Sequence, residues 1–588
     1  MKLTFSSVAR RILVTGILAT ALASAQEFPA DFNLLWKQMN HLTAESRRKP
    51  NNLQLLAQLA ELQMKSGEFD RARNTLDSTL ILDNDFLPAV VALGQLNRRM
   101  FHFQSSLQQL ATVLTRAPDD STVQVFVADL AIDRMDYPTA SDVFRKALRK
   151  NQNDTWALCG LANVAYWGNR YDEADKYLRS CLGIDSTFAR AWLLKSLLHR
   201  IKQENNEWAQ CGRRAVANDP FDDEARANLS NILMRGEKKL AEGYDQGRIA
   251  LKLNPYNFTA HNSIGNGWSA RLYPEIPLPL SGERKGVFLK SMRVGDGALT
   301  RHDLATATPA FDRALDILPD HIPALIGKGT TFYYKQEYDE ALRCFYRALT
   351  LDPDYGLAHY GVAMCLLRKR DAVNVRIANF RQQPATDVPE PLALQAVFTN
   401  YMSLDAELQR IVRVSVAPLN AYLPLLKEKQ VTFLIFPFHH FLWQMPANKR
   451  MKGTRTFDGR LWDDVKGSGG SNASAGEEWE RDVKNFRFNV LTHEFAHQVH
   501  GFLPKNLKDD ITRLYTLAKN ASRTLDFYSN ANEMEYFAVG VEAYVSEYKL
   551  ADQKITYGHT REELRNVDPD LYEFVKRLNQ LAMPKESK

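Results

Sequence analysis

Small and apolar residues return along the first two thirds of the chain with a fixed step. Registers of 34 residues start at Leu53, Leu87, Ser121, Thr155, Ala189 and Asp223. Gly94, Ala128 and Ala162 fall at the eighth position of their registers, and Ala72, Ala140 and Ala174 at the twentieth. Ala147 and Ala215 fall at the twenty-seventh, and Pro118 and Pro220 at the thirty-second. Small residues at helical spacing are what close helix crossings need, and a proline ends a helix. The pattern predicts pairs of antiparallel helices joined by turns such as Gly67-Glu68-Phe69-Asp70-Arg71-Ala72 and Asn169-Arg170-Tyr171-Asp172-Glu173-Ala174.

Period and small-residue positions together resemble the tetratricopeptide repeat. That resemblance implies an α-solenoid over 53–380, preceded by a lead-in helix over 26–52. Such a solenoid presents a concave face that suits a peptide or protein, either substrate or partner. The other reading is a spacer or packing support for the C-terminal domain. The array is expected to be interrupted. Phe258–Trp268 reads as a first helix, but its second helix is delayed to about Ala307–Leu315 by an insertion at about 269–305 rich in Pro and Gly. Repeats resume at Ile322, with Gly329, Ala341, Ala348 and Pro353 in register, and a partial repeat runs from Gly356 to about Phe380.

The pattern changes after the proline-rich break at 381–391. Leu404–Tyr422 is amphipathic and predicts a helix. Val431–Phe436 is β-branched and aromatic and predicts a buried strand. A further extended stretch is expected over Gly459–Val465. Gly467–Gly476 reads first as a flexible loop and second as a rim or edge strand beside a cleft. His439 and His440 read as structural or surface histidines before they read as ligands. Arg481–Phe502 predicts one helix stopped by Gly501 and Pro504, and Ser529–Leu550 predicts another, with Ser529 or Asn530 at its start.

The first of these helices carries His493-Glu494-Phe495-Ala496-His497. Residues four apart on a helix share a face, so His493 and His497 can close on one metal ion while Glu494 reaches a water beside it. A third ligand must come from elsewhere. His500 and Leu503 stand where the metzincin pattern needs Gly and His, so that pattern fails. His500 sits almost two turns from His493 and is poorly placed. On the later helix Glu535 and Glu542 share a face, and both stay open on spacing alone.

Tyr528-Ser529-Asn530-Ala531-Asn532-Glu533-Met534-Glu535-Tyr536-Phe537-Ala538 resembles the corresponding segment of the anthrax lethal factor peptidase family, as does the His-Glu-Phe-x-His form of the motif. The Mlc titration factor peptidases share a similar Glu-aromatic-Phe-Ala-Val segment. The resemblance covers about 60 residues at the C-terminus. It implies a zincin-like α+β metallopeptidase domain over 392–588 holding one Zn²⁺ through His493, His497 and Glu535. It implies Tyr528 as an assistant to catalysis. Glu494, beside the histidines, is expected as general base, and Glu542 stays as the alternative ligand because His497 to Glu535 is a shorter span than in those families. The whole chain is therefore expected to be mostly α, a solenoid joined to a metallopeptidase domain. The competing expectation is a non-catalytic scaffold with a degenerate peptidase-like domain.

Composition narrows this picture at three points. The net charge of +6 over 588 residues does not argue for nucleic acid. Lys2, Arg10 and Arg11 precede an apolar run and Ala23-Ser24-Ala25, the order of a cleaved signal peptide over 1–25. An exported chain is expected, periplasmic or extracellular, without a stable membrane span. The five cysteines are scattered and unpaired in spacing, which excludes a disulfide framework and suggests buried apolar positions.

Overall fold

The computed structural model describes residues 31–375, 388–477, 489–546 and 559–580, apart from single positions 169, 203, 270, 274, 457 and 527. The signal segment 1–25 and most of the break at 381–391 lie outside the described residues. The chain divides into two compact units, one of Met1–Leu278 with Leu318–Ala378, the other of Pro279–Ile317 with Asn379–Lys588. No described helix is long and apolar enough to cross a membrane.

The first unit is a helical solenoid. After a lead-in helix, Asp31–Arg48, the first helices run Leu53–Lys65, Leu87–Arg99, Ser121–Asp133, Thr155–Trp167 and Ala189–Ile201. Each begins at a register residue. Their partners run Phe69–Leu82, Phe103–Arg116, Tyr137–Lys150, Tyr171–Ile184 and Asn205–Asn218. Local chemistry sets these bounds. Asp120 and Asp154 accept backbone N–H groups as N-caps of the helices that come after them. Gly67, Phe101 and Met135, one step apart, all take the left-handed conformation that closes the first helix of a pair. In the sixth repeat the first helix, Asp223–Asn231, ends in a π-turn, Ile232–Gly236. The π-turn holds an extra residue, and the second helix accordingly starts one position late, at Leu240.

Gly94 shows why the small positions matter. A Cβ there would stand 2.4 Å from the ring of Phe126 in the next repeat. The solenoid also closes on itself. Arg99 pairs with Asp223 at 3.0 Å, Phe69 stacks on Tyr256 with centroids 6.2 Å apart, and the Val375 N–H donates to the Arg134 carbonyl. The five cysteines are free, and four of them are buried, as small apolar residues.

The interruption differs from the expected insertion at about 269–305. Phe258–Ser263 and the π-turn Ile264–Trp268 pack on Gly356–Asp371. Gly265 permits this, because a Cβ there would stand 2.4 Å from the Tyr360 backbone nitrogen. The helix at 304–317 does not complete that repeat. It forms a hairpin with Gly282–Thr300, and both belong to the second unit.

In the second unit the hairpin helices are α1 (Gly282–Thr300) and α2 (Leu304–Ile317). The expected helix over 404–422 is split into α3 (Ala406–Val416) and a 3₁₀ segment, because Pro418 comes after α3 and Leu419 leaves helical geometry at φ −123°. Strand β1 (Thr432–Phe436) pairs in parallel with β3 (Asn472–Gly476), which pairs antiparallel with β2 (Gly467–Ser468). The sheet order is β1-β3-β2. Gly467–Gly476 is thus mostly strand, the second of its two readings, with β2 at the edge. Gly459–Val465 holds a 3₁₀ turn, Trp462–Asp464, in place of an extended run.

Helix α4 (Val490–Phe502) packs on β3 and on α6 (Glu533–Val545). Between them runs α5 (Lys505–Asn520), and at the end α7 (Pro569–Gln580). Phe433, Ile435, Ala473, Ala475, Phe495, Ala496 and Phe537 share one buried core. The second long helix starts later than expected, at Glu533. Asn489 leaves helical geometry and caps α4 through the Thr492 N–H, while Asn532 caps α6 through the Met534 and Glu535 N–H groups. Residues 481–488 and 547–550 lie outside the described set.

Candidate metal centre

Helix α4 carries His493, Glu494 and His497, and the first turn of α6 carries Glu535. The anchorage of α4 is unusually polar. Asn489 donates from its side chain to Ser415 of α3, and Thr492 donates to the Ser415 carbonyl. Gln498 donates to the carbonyls of Thr432 in β1 and Gly470. These buried bonds fix the rotation of α4 about its axis, which aims both histidines at α6.

The three side chains converge. His493 Nε2 and His497 Nε2 lie 3.1 Å and 3.4 Å from Glu535 Oε2, and 3.1 Å from each other. Donor atoms about 3.3 Å apart are the edges of a tetrahedron whose centre lies about 2.0–2.1 Å from each corner, the range of zinc–nitrogen and zinc–oxygen bonds. Two imidazoles and a carboxylate are also the donor set of a His₂Glu zinc site. The residues therefore fit a zinc ion by chemistry and by spacing.

Glu494 lies beside the triad, packed against the sheet edge. A Cβ at Gly467 would stand 2.8 Å from Glu494 Oε1, and one at Gly469 would stand 3.0 Å from Oε2. Glycine at these positions lets β2 and its turn approach the carboxylate. Burial raises the Glu494 pKa above the ordinary carboxylate value, although the nearby His497 and His493 oppose the shift. Burial alone would also raise Glu535. Hydrogen bonds with His493 and His497, and their charges, outweigh it and hold that carboxyl well below the usual range. His497 is moved up despite its burial, by its bond to Glu535 and by the charge of Glu494.

Tyr528 faces the triad from the turn before α6, its ring centroid 6.1 Å from that of His493. Arg460 Nη2 donates to the Tyr528 oxygen at 3.1 Å, and Arg460 Nε donates to Asp458 at 3.0 Å. Burial drives the Tyr528 pKa up, so the phenol stays protonated. Arg460 was not legible as part of a site, because nothing in Thr454–Val465 matches a metal or nucleophile pattern. Gly467 and Gly469 lie in the stretch whose second reading is a rim or edge strand beside a cleft, and they stand against Glu494.

The remaining candidates fall outside the triad. His500 packs its ring against Phe537, with centroids 5.7 Å apart. Glu542 is fully buried and takes the backbone N–H of Asn489 at 3.3 Å, at the start of α4. His439 and His440 sit in the turn after β1, and both Nε2 atoms reach Asp296 of α1.

A model of the tetratricopeptide repeat family matches residues 322–355. Two solved structures are similar to the chain in part. One is YrrB, described as a TPR protein with an unusual peptide-binding site, at 19% identity and TM-score 0.19, covering 38% of this chain and 98% of that one. The other is the APC/C hetero-tetramer Cut9-Hcn1, at 12% identity and TM-score 0.31, covering 61% of this chain and 64% of that one. No curated protein matches the chain. The match covers one repeat, and the 34-residue step of the array resembles that family.

Proposed function

We propose that the second unit is a zinc-dependent endopeptidase and that the repeat array binds its protein substrate or a protein partner. The observation that carries this reading is the convergence of His493, His497 and Glu535, with Glu494 held beside them against Gly467 and Gly469. Zn²⁺ held by His493, His497 and Glu535 supplies Lewis acidity, which acidifies water and polarises a peptide carbonyl.

The chain's own groups do the rest. Glu494 takes a proton from the attacking water, whose oxygen joins the carbonyl carbon. It then returns the proton to the leaving amine as the C–N bond breaks. Its raised pKa suits a group that must both accept and release a proton. Tyr528 donates to the carbonyl oxygen as negative charge develops there. Arg460, by donating to the phenol oxygen, holds that ring in place. Strand β2 stands at the edge of the sheet, where an extended peptide can add to it through backbone hydrogen bonds. The N-terminal sequence supports export, and this activity is accordingly placed outside the cytoplasm.

The test is cleavage of a peptide library by zinc-loaded full-length protein and by its Glu494→Gln variant. The variant should lose about 10²–10⁴-fold in rate, the usual contribution of a general base, while its melting temperature stays at the wild-type value. A variant as active as wild type would overturn the role of Glu494. The second reading, a protein-binding scaffold, rests on the repeat match at 322–355. It predicts that chelator changes neither stability nor partner binding.

A further inference from the structure

Outside the triad, one other cluster of metal-capable side chains occurs among the described residues, Asp296 with His439 and His440. We propose that these three hold a second divalent transition-metal ion, of the zinc class. The proposal does not rest on peptidase activity.

The cluster is built from two segments of the second unit that are remote in sequence. Asp296 sits on α1 between Gly295 and Gly297. Gly295 is explained by packing, since a Cβ there would stand 3.0 Å from the Phe311 ring of α2. His439 and His440 are consecutive in the turn after β1, where side chains of neighbouring residues ordinarily diverge. Here both aim the same atom at one point. His439 Nε2 and His440 Nε2 lie 2.8 Å and 2.5 Å from Asp296 Oδ1, and the ring centroids are 4.3 Å apart.

Both Nε2 atoms crowd onto one oxygen, Asp296 Oδ1. Both Nδ1 atoms are buried with no hydrogen-bond partner, so Nε2 is the ligating face of each ring. A cation on the Nε2 side engages all three lone-pair donors at once. Two imidazoles and a carboxylate form a donor set chosen by zinc and its neighbours in the transition series. The triad at His493, His497 and Glu535 presents the same motif, two Nε2 atoms converging on one carboxylate oxygen.

The turn is also held rigid from behind. Buried Lys466 donates to the carbonyls of Phe438 and His440, and the Phe438 N–H donates to buried Glu477. Supports of this kind orient ligands before an ion arrives. His439 is 6% exposed at its side chain and Asp296 is 45% exposed. One side of the cluster is therefore open to water, which completes the coordination. The ion would fasten the α1–α2 hairpin to the turn after β1.

The measurement is zinc bound per chain in full-length protein, stripped with chelator and titrated with zinc alone. Wild type should saturate at two equivalents. Asp296→Asn and His440→Ala should each saturate at one, as should His493→Ala, and the double variant Asp296→Asn with His493→Ala at none. Asp296 is half-exposed, so its variant is expected to fold, and a melting curve checks this. Retention of two equivalents by Asp296→Asn overturns the proposal. So does a wild-type value of one that His493→Ala removes. A wild-type value of one that Asp296→Asn removes, and His493→Ala does not, supports this site and sinks the peptidase centre instead.

Discussion

Polar groups inside the two units are arranged on opposite principles. In the repeat array they cancel one another. Arg98 lies between Asp133 at 2.9 Å and Asp129 at 3.7 Å, and Arg99 pairs with Asp223. The other oxygen of Asp223 accepts from Asn254 and Asn257, one helix pair further on. Each of these charges has a partner of opposite sign or a matching amide. In the second unit, two histidines and a carboxylate aim at one point, and a further carboxylate stands beside them. Repulsion and desolvation make such convergence costly unless something else occupies the point. The first arrangement serves stability, and the second is the one the proposed chemistry would use.

The contacts differ in the same sense. Array helices pack mainly on neighbours in sequence, as solenoids do. The metal centre draws on Ser415, Arg460, Gly467, His493, Tyr528 and Glu535, brought together by a sheet of mixed direction. Damage to one repeat is therefore expected to remain local, whereas damage at the sheet edge should reach the site.

The largest effect that would break this comparison comes from Gly467→Ala. The added methyl meets Val490 at 2.7 Å and Glu494 at 2.8 Å, so β2 and Glu494 must move apart. A misplacement of about 1 Å in a catalytic group costs about 10²-fold. Peptide hydrolysis should fall by that order with little loss of bound zinc. An unchanged rate would mean that Glu494 does not depend on the strand edge.

Arg98→Met tests the other side. It removes the cation that Asp129 and Asp133 share, leaving Asp129 with Arg190 at 3.9 Å and Asp133 without its Arg98 bond. The array should lose about 1–3 kcal/mol of stability, the cost of an unmatched buried polar group, as read by denaturant unfolding. The rate on a short peptide should not change. A fall in that rate would show that the array's charges belong to the site.

A third test concerns Glu542. Burial, only partly offset by the Asn489 N–H, raises its pKa to about 8. The folded state then keeps a proton that the unfolded chain releases near its ordinary value of about 4.3. Stability must fall as pH rises between those two values and level off above about 8. Glu542→Gln should flatten that slope, as melting temperatures across pH 5–9 would show. An identical slope in the variant would place the titration elsewhere.

The same contrast decides how far the chain could be read in advance. First helices start at Leu53, Leu87, Ser121, Thr155 and Ala189, the residues that open each register, because caps and left-handed turns recur with the period. The π-turn at Ile232–Gly236 was hidden, since one extra residue leaves the apolar pattern almost intact. Of the hairpin at 282–317, the second helix was legible at about 307–315, while the first was hidden by the Pro and Gly residues in and before it. Strand β3, Asn-Ala-Ser-Ala-Gly, carries no β-branched residue and reads as a loop. It is a buried central strand with α4 packed on it, a case of burial overriding propensity. His493, Glu494 and His497 were legible because their spacing lies within one helix. Spacing alone left Glu535 and Glu542 open and the resemblance favoured Glu535, which is the one that meets the histidines; the contact of Arg460 with Tyr528 and the meeting of His439 and His440 with Asp296 needed the tertiary fold.

That choice of third donor offers the most direct test of the metal centre. Zinc per chain should be counted in wild type, Glu535→Ala and Glu542→Gln under the same saturating titration. Glu535→Ala should bind one equivalent fewer than wild type, and Glu542→Gln should match it. Full zinc binding by Glu535→Ala, or loss of an equivalent in Glu542→Gln, would contradict the His493–His497–Glu535 site.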